Sequence, residues 1–551
     1  MNKSKVVLVQ PPIQDFYLTI KRTIPYGLAS IAASIIQEDF EVKIIDGLAT
    51  SKSKIIEYPP AFSYLEPFYG KKDITAFSLF HEFRHFGYSY EHLGNLVRQE
   101  QPFIVGISSL FTAYSDQALE TARMIKKFYP QCLIVMGGHH PTIFPEKVLD
   151  YDSIDYLIRG EGEIPMAKLC TALKTGTDVK KIPGVCYKDT KGMHICDPFW
   201  VKDLSNLPCP ATALINHDYY QRKKRISATI VSSRGCPMQC SYCSVSATSS
   251  YGGYRKRSVD SVIEEIQMLI QHHDVGFVDF EDENLCLDKE WFFSLFNRIV
   301  PMLSKKNIEL RAMNGLYPPS IDEDIVKLMK KAGFKTLNLA LGSTSIEQLK
   351  QFKRKDVRQS FENAVSLAQK NHLECVSYII GAAPGQSVES SLNDLLYLAS
   401  QRTLVGFSVY YPSPGSLDYQ ECQSRQLLPK HFCQMRSTAL PIEDTTTRVQ
   451  SITLLRLSRI LNFIKAILDS DGQMPDPVNY TDPEHYTGQN ILSCLDRTEQ
   501  SKKLLQWFLY DGVIRGLDHD KEIYEHCVDL NLTRQFIQKM KTIQISGVKQ
   551  E

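Results

Sequence analysis

Residues 233–245 read SRGCPMQCSYCSV, and this short loop holds three cysteines, Cys236, Cys240 and Cys243. Their spacing is C-x3-C-x2-C. A structural zinc ion normally takes four Cys or His ligands, and an iron–sulfur cluster is usually held by four thiolates. The nearest histidines lie upstream or beyond a whole predicted helix. Three thiolates without a fourth protein ligand favour a cubane cluster with one iron open to a non-protein ligand. Zinc is the second interpretation.

The bulk composition is that of a globular protein. The chain has 551 residues, 43% of them hydrophobic and 23% charged, and a formal net charge of +1. This length predicts several domains. The balanced charge gives no footprint for nucleic acid, and no apolar run reaches the ~20 residues of a membrane span. The first residues, MNKSKVVLVQPP, lack the long apolar run of a secretory signal. We therefore expect a cytoplasmic protein with no transmembrane segment and no nucleic-acid partner.

The first ~200 residues alternate short apolar runs with helical patterns. Helices are predicted over 27–37 and from about Tyr114 to Phe128. Continuous β-branched runs separated by helices indicate a parallel sheet that is covered on both faces. The predicted strands are VVLVQ (6–10), VKIIDG (42–47), IVGIS (104–108), LIVMGG (133–138) and YLIRG (156–160). The fold class is α/β, beginning with a doubly wound, Rossmann-like domain over 1–200.

The carboxyl ends of these strands carry small and unusual residues. Pro11 follows the first strand, the loop from Ser108 to Thr112 follows the third, and GGHHPT (137–142) and RGEGE (159–163) follow the next two. Doubly wound sheets bind ligands at this edge, and glycine lets a backbone approach a large ligand closely. The pattern predicts a ligand without naming it.

A second series of strands follows a linker over 201–227. Six consecutive strand and helix patterns predict a partial (β/α)6 barrel over 228–428, whose chemistry lies at the carboxyl ends of its strands. Ser261 and Glu264 are predicted to form a capping box on its first helix. A small helical domain is expected over 429–551, with helices at 447–468 and 501–517. The predicted barrel strands are 228–233, 275–280, 308–314, 336–341, 375–381 and 405–411.

The cysteine loop resembles that of the radical S-adenosylmethionine (SAM) superfamily. The resemblance rests on C-x3-C-x2-C after the first barrel strand, with Tyr242 before the last cysteine. FEDENL (280–285), FKRK (352–355) and IIGAAPGQSVE (379–389) are also similar to family patterns. The resemblance implies a [4Fe-4S] cluster on Cys236, Cys240 and Cys243. SAM would chelate the open iron, and one electron would cleave it to a 5′-deoxyadenosyl radical.

The resemblance also implies residues that bind SAM. ALGSTS (340–345) departs from the family's Gly-x-Glu-Ser pattern, whose Glu contacts SAM. Ser343 and Thr344 can still donate hydrogen bonds, but they supply no carboxylate. The implied residues are Tyr242, Glu281, Asp282, Asn284, Ser343, Ile379 and Gly381.

The N-terminal region is similar to the cobalamin-binding domain fused ahead of many such barrels. It has no Asp-x-His-x-x-Gly motif, whose absence is usual in the fused family. His139 and His140 are therefore expected to shape the loop rather than bind cobalt. The residues implied to contact cobalamin are Pro11, Ser108, Thr112, Gly137, Gly138, His139, Gly160 and Glu161.

The leading hypothesis is a cobalamin-dependent radical SAM enzyme, a methyltransferase that acts on an unreactive carbon of a small-molecule substrate. An electron donor such as flavodoxin or ferredoxin is the expected partner. A radical oxidoreductase or cyclase of the same architecture is the alternative, and a non-catalytic corrinoid-binding sensor is the second. A methylthiotransferase is set aside because no cysteine precedes Cys132 to hold a second cluster. The aromatic-rich segment 51–90 either covers the cavity or packs a domain interface, and packing is favoured.

Overall fold

A parallel sheet forms the core of the N-terminal region in the computed structural model, which describes residues 4–17, 23–245, 252–480, 492 and 495–549. The strand order is β10-β9-β8-β7-β6-β1-β3. β3, β1, β6, β7 and β8 are parallel, and β9 runs antiparallel to its neighbours β8 and β10. The doubly wound prediction is confirmed. The strands are β1 (Lys5–Gln10), β2 (Ile13–Asp15), β3 (Glu41–Asp46), β4 (Ser53–Ile55), β5 (Arg84–Phe86), β6 (Ile104–Ser108), β7 (Leu133–Gly137), β8 (Tyr156–Ile158), β9 (Val185–Asp189) and β10 (Gly192–His194).

Helices cover both faces of this sheet because its strands carry apolar side chains on both sides. Val6 and Leu8 pack into the apolar cluster under α1 and α7, whereas Val7 and Val9 pack under α3 and α4. The helices are α1 (Tyr26–Gln37), α2 (Glu66–Tyr69), α3 (Tyr90–Glu100), α4 (Ser115–Phe128), α5 (His139–Ile143), α6 (Pro145–Leu149) and α7 (Glu163–Thr175).

Six parallel strands form the predicted partial barrel. They run as β12-β15-β16 and β17-β18-β19, and isolated bridges at Leu310↔Phe334 and Leu316↔Leu339 connect the two halves. A hairpin strand, β11, lies antiparallel to β12. The strands are β11 (Gln221–Arg222), β12 (Arg225–Ile230), β13 (Ser233–Arg234), β14 (Arg255–Lys256), β15 (Val275–Phe280), β16 (Glu309–Arg311), β17 (Thr336–Gly342), β18 (Glu374–Gly381) and β19 (Leu404–Val409).

Helices form the outer layer of the barrel. The first begins at Ser258, whose hydroxyl accepts a hydrogen bond from the Ser261 amide at 3.2 Å. The predicted capping box of Ser261 and Glu264 is therefore wrong. Ser261 Oγ instead accepts bonds from the Arg257 guanidinium. The helices are α8 (Val259–His272), α9 (Lys289–Leu303), α10 (Glu323–Ala332), α11 (Ile346–Gln351), α12 (Arg358–Lys370), α13 (Val388–Ala399) and α14 (Leu417–Ser424).

The C-terminal region is mainly helical, with α15 (Arg448–Asp471), α16 (Arg497–Asp511) and α17 (Leu530–Met540). Thr447 and Gln450 form a capping box at the start of α15. The predicted helix over 501–517 ends early, because Gly512 adopts φ 80° and terminates α16. Residues beyond it pair as antiparallel strands, β20 (Arg515–Leu517) and β21 (Ile523–Glu525). No described helix is long and apolar enough to cross a membrane.

Several aromatic side chains of the segment 51–90 pack inside the molecule. Phe83 is 1% exposed and its ring lies 4.8 Å from that of Phe16 and 5.3 Å from that of Phe62. Ala439 and Leu440, from the C-terminal region, belong to the same apolar cluster. The packing interpretation of this segment is confirmed for Phe83, which faces neighbouring aromatic rings.

Phe83→Ala is expected to lower the free energy of unfolding by about 3–5 kcal/mol, because it leaves a cavity among three aromatic rings. Phe80→Ala is the matched control, since Phe80 is half-buried in the same segment and should lose less. Thermal unfolding of the two variants measures the difference. Equal losses would contradict the assignment of Phe83 to the core.

Candidate functional site

The cysteine loop leaves the barrel where β12 ends and runs through a sharp turn at Gly235. Gly235 adopts φ 81°, and a Cβ there would lie 2.2 Å from the Gly253 carbonyl oxygen. Only glycine fits this position without strain. β13 and β14 pair on either side of the loop and fix both of its ends. Cys240 is buried, and Cys236 and Cys243 are half-buried.

Hydrogen bonds from the FKRK segment hold the loop from behind. The Ser241 amide donates to the Phe352 carbonyl at 3.0 Å, and the Ser241 hydroxyl donates to the Gln351 carbonyl at 2.9 Å. The ring of Tyr242 meets that of Phe352 edge-on at 4.9 Å. Arg354 donates to the Tyr242 hydroxyl at 2.6 Å and to the Ala340 carbonyl at 2.8 Å. Tyr242 thus supports the loop from inside the protein.

Arg354 places a positive charge beside the loop. No ion pair joins it to a carboxylate in the described part of the chain. Burial acts to lower the pKa of Arg354, but Tyr242 and the Cys240 thiol raise it above its ordinary value. A guanidinium that is partly removed from water benefits from negative partners, and the Cys240 thiol beside Arg354 can supply one as a thiolate.

The three thiols suit a cluster of several irons. Each lies near the others, since Cys240 and Cys243 both act to raise the pKa of Cys236, although burial raises it most. No three His, Cys, Asp or Glu side chains of the described residues converge tightly enough to bind a single metal ion. A cubane spreads its thiolate ligands over several irons. The donor set of three thiolates on one loop therefore fits a [4Fe-4S] cluster.

The predicted SAM residues at the end of β15 divide into two groups. Asp282 is buried, and its carboxylate accepts bonds from Ser232 and Ser233 at the end of β12. Asp282 therefore joins the ends of β12 and β15 through hydrogen bonds within the protein. Glu281 is exposed at the barrel mouth. Asn284 is 4% exposed, and its Oδ1 has no hydrogen-bond partner among the described residues. An unpartnered buried oxygen of this kind suits a polar ligand group.

Ser343 lies away from the barrel lumen. Its hydroxyl donates to Asp394 Oδ2 at 2.8 Å, and the Thr344 amide and hydroxyl donate to Asp394 Oδ1. Burial raises the pKa of Asp394 to about 6, against those three bonds. Ser343 and Thr344, of which Thr344 stands at the position of the family's Glu, therefore bind a carboxylate from α13.

Strand alternation places Ile379 and Gly381 behind the lumen. Ile379 is fully buried in the cluster between strands and helices, whereas its neighbours Tyr378 and Ile380 have the opposite orientation. At Gly381, a Cβ would meet the Phe407 ring at 2.3 Å. Ile380, between them, belongs to the same apolar cluster as Tyr242 of the cysteine loop, and contact of Ile379 and Gly381 with SAM stays a prediction.

A cleft opens at the carboxyl edge of the N-terminal sheet, where β1 and β6 lie side by side and the strand order reverses. Its volume is about 540 Å³ including its open mouth. Ligands of doubly wound sheets bind at this switch point. The Ser109 hydroxyl is buried there without a hydrogen-bond partner among the described residues. The lining residues are Gln10, Pro11, Pro12, Ile13, Thr23, Leu48, Ser108, Ser109, Leu110, Phe111 and Tyr114.

Most of the other predicted cobalamin residues lie beside this cleft rather than in its lining. Gly137 ends β7, and Gly138 precedes α5. His139 Nε2 lies 3.3 Å from the Pro414 carbonyl. Thr112 is buried, 3.4 Å from His140 Nδ1.

His140 packs between two aromatic rings. It is 1% exposed, and its ring lies 5.4 Å from Phe144 and 5.0 Å from Phe432. Burial lowers the pKa of His140 to about 4. These contacts agree with the expectation that His140 shapes the loop.

Glu161 lies in an ion-pair cluster that sequence reasoning missed. Its carboxylate is 2.9 Å from Arg255 Nη1 and 3.2 Å from Arg234 Nη1, and Glu163 is 2.6 Å from Arg234 Nη2. Arg234 precedes the cysteine loop, and Arg255 follows it. We call these four residues the ion-pair cluster. Gly160, in the same loop, bridges to Phe199. The loop predicted to contact a ligand therefore binds the barrel.

The segment that follows β19 contacts both the cysteine loop and the loop after β7. The Asp418 amide donates to the Ser241 carbonyl at 2.9 Å, and the Pro414 carbonyl lies 3.3 Å from His139 Nε2. Tyr411 also lies on this segment; it is 38% exposed, and burial raises its pKa. The Cys243 thiol and the Tyr17 hydroxyl also act on its pKa, so both lie nearby. Tyr17 packs beside Ile13, Leu48 and Tyr114 of the cleft.

Two family models match the two regions described above. The B12 binding domain matches residues 81–170, and the Radical SAM superfamily matches residues 230–396. The chain is an enzyme that combines a B12 binding domain with a Radical SAM domain. The cofactors of this family are a [4Fe-4S] cluster, SAM and cobalamin.

Relatives extend over most of the radical SAM chain. An uncharacterized methyltransferase of Pyrococcus horikoshii is 28% identical over 471 residues, which cover 84% of this chain and 91% of the relative. The anaerobic magnesium-protoporphyrin IX monomethyl ester cyclase of Rubrivivax gelatinosus is 26% identical, over 58% of each chain.

Two solved structures share the fold. The radical SAM methyltransferase TsrM from Kitasatospora setae, with cobalamin and a [4Fe-4S] cluster bound, has a TM-score of 0.58 at 18% identity and covers 77% of this chain and 78% of its own. The cobalamin-dependent enzyme OxsB has a TM-score of 0.63 at 14% identity and covers 92% and 72%.

Glu161→Gln is expected to destabilise the protein by about 3–5 kcal/mol, because the largely buried Arg255 loses its carboxylate partner and Arg234 keeps only Glu163. The iron content after reconstitution should fall as well, since both arginines flank the cysteine loop. Iron analysis and thermal unfolding measure the two effects. Glu146→Gln, an exposed position in the same domain, is the control and should match wild type within about 0.5 kcal/mol. Normal iron content in Glu161→Gln would contradict the role of the ion-pair cluster in holding the cysteine loop.

His140 should make the protein acid-sensitive. Its folded pKa of about 4 lies below the value near 6.5 of an unfolded histidine. The unfolded chain therefore binds a proton between these values that the folded chain does not. Stability should fall as the pH drops from about 6.5 to about 4, by up to about 1.4 kcal/mol per pH unit.

Melting temperatures measured from pH 7 to 4.5 test this sign. His140→Gln should show a shallower decline than wild type, and His92→Gln, at an exposed position, should follow wild type. Parallel curves for His140→Gln and wild type would refute a buried neutral His140.

Proposed function

We propose that the protein is a cobalamin-dependent radical SAM methyltransferase that methylates an unreactive carbon of a small-molecule substrate. The observation that carries this proposal is the ion-pair cluster, which holds the cysteine loop against the loop that follows β8 of the N-terminal sheet. A methyl carrier and a radical source must both reach one carbon atom. A cavity shared by the cleft and the cysteine loop allows this, whereas two separate pockets would not.

Different residues of the chain would bind the cluster, SAM and the corrinoid. Cys236, Cys240 and Cys243 would hold the cluster, and Arg354 would balance its negative charge from behind the loop. Asn284 Oδ1 and the exposed Glu281 offer polar contacts for SAM at the barrel mouth. Pro11 and Ser108 line the cleft that would hold the corrinoid. The bound cofactors supply the hard chemistry, a radical and a methyl group.

Apolar side chains shield the cavity from water. Leu110 and Phe111 are 49% and 50% exposed in the cleft, and Met313 is 50% exposed beyond β16. Large apolar side chains at the rims of two facing sites suit large, weakly polar ligands. Exclusion of water protects a carbon radical from side reactions.

A radical cyclase of the same architecture is the alternative, since one relative carries that name. Methyl transfer is favoured because the relative that matches the larger share of this chain is named a methyltransferase. A non-catalytic corrinoid sensor would have no need of the three thiols and the buried Arg354 beside them.

An electron donor such as flavodoxin or ferredoxin is part of the proposal, because SAM cleavage takes one electron that the chain itself does not supply. The cytoplasm is the proposed compartment. Thiolates that bind iron must stay reduced, and disulfides form readily outside the cytoplasm.

Cys240→Ala is expected to lose most of its iron and all formation of 5′-deoxyadenosine, while it still binds hydroxocobalamin at the other domain. Iron analysis, corrinoid absorption and product chromatography with SAM and a chemical reductant measure these effects. Cys527→Ser, at an exposed cysteine, is the control and should keep its iron and its formation of 5′-deoxyadenosine.

The products also separate the candidate functions. S-adenosylhomocysteine together with 5′-deoxyadenosine supports methyl transfer, and 5′-deoxyadenosine alone supports the cyclase alternative. Full iron content in Cys240→Ala would contradict the cluster assignment.

A further inference from the structure

Two cysteines of the N-terminal domain lie in direct contact. Cys186 is on β9, paired with Leu157 of β8, and Cys196 lies two residues beyond β10. Their sulfur atoms are 3.0 Å apart, and the Cys196 amide donates to Cys186 Sγ at 3.2 Å. A disulfide bond is about 2.05 Å long, so the two sulfur atoms need to approach by only about 1 Å. Neither residue belongs to the cavity described above.

The surroundings of the two thiols differ. Cys186 is fully buried, whereas Cys196 is half-buried and can meet a small reagent. Arg159 lies beside Cys196 and donates to its carbonyl oxygen at 2.5 Å. The hydrogen bond from Cys186 and the Arg159 charge lower the pKa of Cys196 to about 7, against burial. The thiolate is the nucleophile in disulfide exchange, so Cys196 reacts first.

We propose that Cys186 and Cys196 form a redox-active dithiol that a low-molecular-weight disulfide oxidises to an intramolecular disulfide. The Cys196 thiolate attacks the reagent disulfide and expels one thiolate, which gives a mixed disulfide on Cys196. Cys186 then loses its proton, attacks Cys196 Sγ and expels the second thiolate. Two protein thiols are oxidised, and one reagent disulfide is reduced to two thiols.

The dithiol connects to the ion-pair cluster through the backbone. Three residues beyond Cys196, Phe199 exchanges hydrogen bonds with Arg159 and Glu161, and the Val201 amide donates to Glu161 Oε2 at 2.7 Å. The site therefore sits on the segment that positions Glu161. The proposal itself does not depend on the proposed function, because the contact exists without any cofactor.

Peptide mapping tests the proposal directly. The reconstituted full chain is treated anaerobically with oxidised glutathione, quenched with acid, blocked with N-ethylmaleimide while denatured and digested with trypsin. Cys186 and Cys196 fall on separate tryptic peptides, IPGVCYK (182–188) and GMHICDPFWVK (192–202). The expected product is these two peptides joined and lighter than their sum by two hydrogen atoms. Dithiothreitol should separate them.

Two variants fix the order of the steps. Cys186→Ser should trap glutathione on Cys196, and Cys170→Ser, at another buried cysteine of the same domain, should leave the joined peptides unchanged. Glutathione on the exposed Cys527 shows that the reagent has reacted. Given that control, any of three results for the wild-type chain would overturn the proposal. These are N-ethylmaleimide on both peptides, a stable mixed disulfide on Cys196 without joining, or either cysteine joined to a different partner.

Discussion

A charge match between two loops ties the N-terminal sheet to the barrel. Glu161 and Glu163 follow a strand of the N-terminal sheet, and Arg234 and Arg255 flank the cysteine loop of the barrel. The side chains are largely buried, so each charge requires its partner. Such pairs contribute little net stability compared with apolar packing, but they tolerate only one arrangement of the loops. This constraint fixes the cysteine loop relative to the sheet edge that carries the cleft.

A second constraint acts behind the cysteine loop. Arg354 is enclosed without a carboxylate partner among the described residues, and Tyr242 accepts one of its hydrogen bonds. Burial of an unpaired guanidinium is unfavourable, and negative charge on the loop thiolates relieves that cost. A thiolate-ligated cluster on the cysteine loop needs a positive neighbour, which Arg354 supplies. The thiolates in turn supply the negative charge that Arg354 needs. Binding of the cluster and burial of Arg354 stabilise each other.

The sequence predicted the strands well because their signal is local. Both parallel sheets and all six barrel strands follow from β-branched runs between amphipathic helices. The orientation of single side chains was harder to predict. Ile379 and Ile380 are adjacent and equally apolar, and only the pleat of β18 decides which one faces the lumen.

Side chains with distant partners could not be assigned from sequence. Ser343 binds Asp394, 51 residues away, and Glu161 binds Arg255, 94 residues away. Their residue types suited a cofactor contact equally well. A signal for Glu161 did exist, since two acidic residues in RGEGE and two arginines around the cysteine loop are complementary in charge. No local rule places those two loops together.

The central claim is that the sheet-edge cleft and the cysteine loop open on one cavity. Electron paramagnetic resonance of the reconstituted chain, with cobalt as Co(II) and the cluster reduced, tests it most directly. Both centres are then paramagnetic, and spins in one cavity interact strongly. The account predicts broadened or split signals that become those of isolated Co(II) in Cys240→Ala. A spectrum equal to the sum of two unperturbed centres would contradict it.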